Sequence, residues 1–172
     1  MKSKKVIEKL NDQISLEQIA SQAYLGMAMW SEQNSFEGAA NFFYAQSDEE
    51  RSHMLKIVRY INSIGAEAII SSVDGASTNY SSLDALVSQG LENEKRVTAA
   101  IHELSTVALA EGDYQSFNFL QWFIVEQAEE EQKFQTIIDK FELLGTDGRA
   151  LYSVDKFMGR MSTSETEEEI SS

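Results

Sequence analysis

The sequence predicts an all-α fold: a four-helix bundle with one long crossover between helices 2 and 3, followed by a short fifth helix. Its 172 residues include no proline, the residue that most strongly interrupts helices, so long helices can run without a break. Apolar residues recur at steps of three and four along four long stretches. One internal stretch, residues 65–81, lacks this pattern and is rich in Ser, Gly, Asn and Asp.

The first two predicted helices run from about Lys4 to Gln33 and from about Ser35 to Ile64. Gly65 follows the second helix and suits the left-handed backbone that commonly ends a helix. Because the connection between these helices is so short, they must be antiparallel neighbours.

The third and fourth predicted helices form a second antiparallel pair. The third begins at residues 81–84, Ser-Ser-Leu-Asp, which resemble a capping box with Asp in place of the usual Glu, and it runs to about Ala110. Residues 111–113 form a tight turn, and the fourth helix extends to Leu144. A helix of ~30 residues is ~45 Å long, and an extended chain the length of the 65–81 connection spans ~56 Å. That connection can therefore cross the whole length of the bundle.

The C-terminal part is predicted to contain a short helix and an acidic tail. Residues 145–148 include two glycines and end the fourth helix, and an amphipathic segment follows from about Arg149 to Arg160. Its apolar face consists of Leu151, Val154 and Met158. Residues 161–172 are mostly Ser, Thr and Glu, and we expect them to be disordered. The predicted bundle domain therefore covers residues 1–160 and the tail residues 161–172.

The composition restricts the function. The chain has 28 acidic against 14 basic residues and a formal net charge of −14, so it should repel nucleic acid and anionic membranes and attract cations. The absence of cysteine excludes disulfides, thiolate metal sites and a cysteine nucleophile. The basic residues at positions 2–5 precede no apolar run, and no stretch approaches the ~18 apolar residues of a membrane span. We expect a cytoplasmic protein with no nucleic-acid or membrane partner.

A carboxylate interrupts the apolar stripe of each long helix near its midpoint. These residues are Glu17, Glu50, Glu94 and Glu130. Midpoints share one height in a four-helix bundle, so the four side chains should meet in one layer of the core. His53 lies three residues after Glu50 on the same face, and Gln127 lies three residues before Glu130.

Four buried carboxylates at one level need compensation. Buried charges are costly unless paired, and like charges repel one another. No Lys or Arg lies on a stripe at that height, which leaves shared protons or bound cations. A histidine beside at least four carboxylates favours two divalent metal ions. Oxygen and imidazole donors without sulfur suit Fe and Mn, with Zn as another possible occupant.

These residues resemble the dinuclear ferroxidase centre of ferritins. The motifs are Glu17, Glu50-x-x-His53, Glu94 and Gln127-x-x-Glu130. The segments 36–40 (FEGAA) and 117–122 (FNFLQW) are similar to those of bacterial non-haem ferritins, and the resemblance covers about residues 4–160. It implies a subunit that oxidises Fe(II) to Fe(III) with O2 or H2O2. It also implies that a homo-oligomeric, hollow shell of 24 copies stores the ferric mineral.

The resemblance also implies individual roles. One iron would be held by Glu17, Glu50 and His53, and the second by Glu50, Glu94 and Glu130, with Glu50 as the bridge. Gln127 would lie beside the second iron, and Tyr24 would lie beside the centre and supply an electron. A third iron site would consist of Glu49, Glu126, Glu129 and Glu130. The alternative for the residues outside the core stripe is a solvated acidic face.

Some positions depart from related families. Arg51 stands where bacterioferritin has its haem-ligating Met, so no haem is expected. Phe117 and Leu120 stand where animal ferritins have an acidic pore, so the sequence does not identify the route by which iron enters. His102 falls off the stripe and is expected at the surface or an interface. Two other functions remain open: a di-metal oxygenase or peroxidase with an external substrate, and a structural bundle whose carboxylates share protons or bind adventitious zinc.

Overall fold

The computed structural model describes the backbone of residues 3–171 and the side chains of residues 3–162. Its helices are α1 (Lys4–Gln33), α2 (Glu37–Ser63), α3 (Leu83–Ala110), α4 (Tyr114–Leu144) and α5 (Gly148–Ser171). The described backbone contains no strand. α1 packs mainly against α2, α3 against α4, and α5 against α2. The predicted all-α bundle with one long crossover is confirmed.

Left-handed backbone ends three of the helices. Gly65 after α2 has φ of 75°, Gly112 after α3 has φ of 67°, and Gly145 after α4 has φ of 83°. The amide of Ala66 donates to the carbonyl of Ile61 across the first of these turns, which satisfies a carbonyl that α2 leaves without a partner. Glycine adopts this conformation without the steric penalty of a side chain.

The two helices of the second pair begin with side-chain caps. Ser82 caps α3 by accepting from the amide of Ala85 at 3.3 Å, so the predicted capping box, which began one residue earlier, is wrong. The third residue of α3 is thus an alanine, which has no side-chain group to return the bond. Asp113 caps α4 in the same way and accepts from the amide of Ser116 at 3.1 Å.

The fifth helix is longer than predicted. Val154 and Met158 are fully buried and Leu151 partly buried, as expected for its apolar face. The helix continues past the predicted end near Arg160 to Ser171, because residues 161–171 contain neither glycine nor proline. The side chains of residues 163–172 lie outside the described residues, so the disorder expected for the tail and the boundary at residue 160 stay predictions.

The apolar core is divided into two clusters by a polar layer. One cluster contains Tyr24, Phe43, Leu91 and Phe134. The other contains Ile14, Ile57, Val97 and Phe123. On each of α1 to α4, the carboxylate predicted at the midpoint lies between these two sets of residues along the chain. None of the described helices combines the length and apolar character needed to cross a membrane.

Helix α5 is fixed to the start of α2. The Oδ1 atom of the buried Asp155 accepts from the amide of Ala39 at 2.8 Å. Ala39 lies in the first turn of α2, where amides lack intrahelical acceptors and the helix dipole favours a negative charge. Gly38 and Gly159 allow the close approach: a Cβ atom on Gly159 would lie 3.1 Å from the Cα of Gly38.

We expect Gly38→Ala to destabilise the protein by ~1–3 kcal/mol through overpacking. The new Cβ atom would lie 1.9 Å from the backbone oxygen of Asp155, so α5 would have to move away from α2. Thermal denaturation followed by circular dichroism measures the effect. Gly148→Ala is the control, since a Cβ atom there meets nothing within 4 Å. Equal denaturation temperatures for the two variants would contradict the close contact.

Candidate metal centre

The four midpoint carboxylates meet in the core as two overlapping groups. One group is Glu17, Glu50 and His53, and the other is Glu50, Glu94 and Glu130. Each residue offers one ligand atom, and the ligand atoms within a group lie within 4.8 Å of one another. All five side chains are at most 2% exposed. Because Glu50 belongs to both groups, its two oxygens can face two different ions.

Several atoms of this layer have no hydrogen-bond partner among the described residues. They are Glu17 Oε2, both carboxylate oxygens of Glu50, His53 Nδ1 and Gln127 Oε1. Buried polar atoms are normally satisfied, and leaving one unpaired is costly. His53 Nδ1 lies 3.6 Å from Glu50 Oε2 and 4.0 Å from Glu17 Oε2. These distances exceed ordinary hydrogen bonds but fit donors that surround one ion at ~2.0–2.2 Å each. The residues present therefore fit a bound metal.

Amide donors orient two other carboxylate oxygens of the layer. Gln13 Nε2 donates to Glu17 Oε1 at 2.9 Å, and Gln46 Nε2 donates to Glu130 Oε2 at 2.7 Å. Such outer contacts fix the orientation of ligands and tune a bound metal. Sequence reasoning missed both glutamines, although each precedes a midpoint carboxylate on its own helix by four residues, which places it on the same face.

Gln127 and Tyr24 both contact Glu94. Gln127 Nε2 donates to Glu94 Oε2 at 3.1 Å, and the Tyr24 hydroxyl donates to Glu94 Oε1. Tyr24 is fully buried, and its ring stacks on that of Phe134 with centroids 5.6 Å apart. Burial, followed by the nearby charge of Glu94, raises the pKa of Tyr24 well above its usual range, so the phenol stays a donor. The position predicted for Tyr24 is found, and its role as an electron donor stays a prediction.

Burial also raises the pKa values of the carboxyl groups when no cation is bound. It raises the pKa of Glu17 well above its usual range, with the charge of Glu50 as the next cause. The pKa of Glu50 is also raised, first by burial and then by Glu94. That of Glu94 rises to about 7, first by burial and then by Glu130. Protons and metal ions therefore compete for the same oxygens.

A second, less buried group lies next to the layer. Glu49, His53 and Glu126 offer ligand atoms within 4.8 Å of one another, and Glu126 Oε1 lies 3.8 Å from His53 Nε2. This side-chain interaction with His53 lowers the pKa of Glu126. The fourth residue of the predicted third site, Glu129, is exposed and belongs to none of the groups found among the described residues. Its role as a ligand stays a prediction.

A lysine that lies off the core stripe compensates part of this charge, and the prediction considered only basic residues on the stripes. Lys133 Nζ donates to Glu130 Oε1 at 3.0 Å, to Gln46 Oε1 at 2.9 Å and to Glu49 Oε2 at 3.3 Å. The Lys133 side chain is only 12% exposed. The apolar stripes do not reveal Lys133, because a long aliphatic stem can bring a charge to a layer from a neighbouring face of the helix. The sequence feature that indicates its position is its spacing of three residues from Glu130, which makes the two side chains neighbours on the surface of α4.

Trp122 packs beside the layer, whereas His102 lies away from it at the surface. The rings of Trp122 and His53 meet edge to face, with centroids 5.3 Å apart, and Lys56 Nζ lies 3.6 Å from the centre of the Trp122 ring. Trp122 therefore separates the imidazole from solvent on that side. His102 is exposed, as its position off the stripe predicted.

Comparisons with known proteins agree on one family. Residues 7–144 match the family model described as the ferritin-like domain. The chain is 42% identical over 163 residues to a Haemophilus influenzae protein named "Probable bacterial non-heme ferritin-like protein", covering 95% of this chain and 99% of the relative. It is 40% identical over 158 residues to the bacterial non-heme ferritin of Escherichia coli O157:H7, covering 92% and 96%. A solved open-pore ferritin from Archaeoglobus fulgidus superposes with a TM-score of 0.90 at 34% identity, covering 92% of this chain and 98% of the other.

Proposed function

This chain belongs to the ferritin family, and on that premise we propose that it is an iron-storage subunit that oxidises Fe(II) at the buried carboxylate layer. The observation that carries the proposal is the pair of buried ligand groups that share Glu50. The unpaired oxygens and imidazole nitrogen in these groups support it, because a bound cation would satisfy them. The relatives named bacterial non-heme ferritin support iron as that cation.

Fe(II) is the substrate, and the chain's own residues would hold two of these ions side by side. Glu17 and His53 bind the first ion, Glu94 and Glu130 bind the second, and Glu50 bridges them. Each Fe(II) gives one electron, and the oxidant, O2 or H2O2, takes the pair. Gln13, Gln46 and Gln127 keep the carboxylates oriented, while the flanking apolar clusters keep bulk water out. Tyr24, hydrogen-bonded to Glu94, would supply a further electron to the oxidant.

Storage requires an enclosure, and we propose a homo-oligomeric shell of 24 copies in the cytoplasm, without haem. Large apolar side chains on the outside of the subunit support association. They include Leu25 and Met29 on α1, each 40% exposed, and Ile69 and Ile70 in the crossover, 50% and 59% exposed. Sedimentation of the purified protein as a monomer would contradict the shell and leave the oxidation chemistry standing.

The oxidation is tested by stopped-flow absorbance. Metal-free protein is loaded with Fe(II) without oxygen and then mixed with air-saturated buffer. We expect a fast ferric signal whose amplitude saturates at about two irons per chain, since a dinuclear centre holds two ions at short separation. If no fast phase occurs at any loading, the layer is not an iron oxidase, and the structural bundle with shared protons becomes the better account.

A further inference from the structure

Lys133 places a tethered cation at the edge of the carboxylate layer. An ammonium group has three N–H donors, and oxygens of Gln46, Glu49 and Glu130 lie within 3.3 Å of Nζ. The side-chain amide of Gln46 accepts from Lys133 through its oxygen and donates to Glu130 through its nitrogen. Lys133 is therefore connected to the Glu130 carboxylate both directly and through Gln46. This arrangement makes the lysine part of the layer, in contrast to a lysine at the surface, whose head group is in water.

The charges of the layer decide how many metal ions it needs. The two inner groups contain four carboxylates, Glu17, Glu50, Glu94 and Glu130, and two divalent ions neutralise them. The outer group adds Glu49 and Glu126 with the shared imidazole of His53. Lys133 supplies a positive charge to Glu49 there, and it also contacts Glu130. Lys133 leaves one net negative charge on the two added carboxylates, so the outer group attracts a third divalent ion less strongly than two uncompensated carboxylates would.

The lysine also competes for the oxygens that a third ion would use. Glu49 Oε2 accepts from Lys133 Nζ at 3.3 Å, and Glu130 Oε1 accepts from it at 3.0 Å. These two carboxylates lie on α2 and α4, so the ammonium joins the two helices through Glu49, which an outer ion would also need as a ligand. A divalent ion held by Glu49 would lie a few Å from this charge, and like charges at that distance repel strongly in a partly buried site.

We infer that the Lys133 ammonium is the resident cation of the outer group, where it excludes a third metal ion and limits the chain to the two inner ions. The inference rests on the proposed two-metal centre. It replaces the predicted third iron site of Glu49, Glu126, Glu129 and Glu130 with a cation that is part of the chain. Removing the ammonium leaves the carboxylates of Glu49 and Glu126 available to a third metal ion, while the imidazole of His53 stays with the first inner ion.

The test counts redox-inert Zn(II) on the full chain by isothermal titration and by metal analysis after gel filtration. We expect about two tightly bound Zn(II) per chain in the wild type and about three in Lys133→Met, since the neutral side chain has a similar length and no charge. Lys133→Gln is the second variant. Lys95→Met is the matched control, because Lys95 pairs with Glu92 at the same three-residue spacing but is 52% exposed. The control should bind as many ions as the wild type.

A crystal structure of the Zn(II)-loaded wild type provides a readout that no variant can disturb. Anomalous peaks should lie in the two inner groups, with Lys133 Nζ still in contact with Glu49 and Glu130. A third peak against Glu49 in the wild type would overturn the inference, as would two ions in both charge-removing variants. Absence of any tight Zn(II) in the wild type would instead overturn the two-metal centre itself, so the two failures are distinct.

Discussion

Glu50→Ala should abolish tight binding of both inner metal ions, whereas Glu94→Ala should weaken only one. Glu50 is the residue shared by the two buried groups, and Glu94 belongs to the second group alone. The first group keeps Glu17 and His53 with Glu50 when Glu94 is removed. The pair of variants therefore tests the bridging geometry, which a single substitution cannot do.

Rapid oxidation of Fe(II) should fall in both variants. Loss of an outer-shell partner already costs about 10–100-fold in metal affinity or activity, so loss of the bridging ligand should cost at least ~100-fold. Glu94→Ala leaves one ion without its neighbour, and oxidation that needs two electrons at once should also slow. Stopped-flow absorbance measures the rates of oxidation. Because the number and type of ligand atoms determine metal affinity, Zn(II) titration should give about one tightly bound ion in Glu94→Ala and none in Glu50→Ala.

Controls separate the loss of a ligand from the loss of the fold. Glu92→Ala removes an exposed glutamate on α3 two positions before Glu94 and should oxidise iron at the wild-type rate. Glu50 has no hydrogen-bond partner for either oxygen among the described residues, so its removal breaks no such bond and circular dichroism should show a folded bundle. Equal metal counts in Glu50→Ala and Glu94→Ala would contradict the assignment of Glu50 as the bridge.

Much of the fold could be predicted because helix periodicity and breaking residues are local properties of the sequence. The helix limits at Gln33, Ala110 and Leu144 agree with the prediction. Counted back from Glu17 in steps of three and four, the core stripe of α1 would begin at Ile7, whereas the fully buried residue there is Val6. Steps of three and four only approximate a 3.6-residue turn, so the inferred face drifts near a helix end.

The carboxylates of the site could be predicted for the same reason, and their supporting side chains could not. A glutamate on an apolar stripe is unusual enough to notice. Glutamine and lysine are ordinary residues beside a stripe, and only the packed structure shows that Gln13, Gln46 and Lys133 reach the layer. The sequence therefore indicated the carboxylates of the layer but missed part of the charge around them, and the third iron site stays a prediction.

The metal-free protein should become less stable as the pH rises from about 5 to 8. Burial, followed by the charge of Glu130, raises the pKa of Glu94 from its ordinary 4.5 to about 7, and burial raises the pKa values of Glu17 and Glu50 as well. A carboxyl group whose pKa is higher in the folded than in the unfolded state stabilises the folded state. This contribution is complete at a pH below the pKa of the unfolded chain. That stability is lost between the unfolded and the folded pKa, because the unfolded chain releases its proton first.

The expected loss is about 3 kcal/mol for Glu94 alone, as an order of magnitude, since one pKa unit corresponds to ~1.4 kcal/mol. The groups are coupled, so the total is smaller than the sum of separate contributions. Chemical denaturation with a chelator at pH 5 and pH 8 measures it, and Glu94→Gln should show a smaller pH dependence than the wild type. Zn(II) should reverse the trend, because a metal binds the ionised carboxylates and its affinity rises with pH. If the metal-free wild type were instead more stable at pH 8, the protein's own donors, Lys133 among them, would already balance the ionised layer, and the need for two cations would disappear.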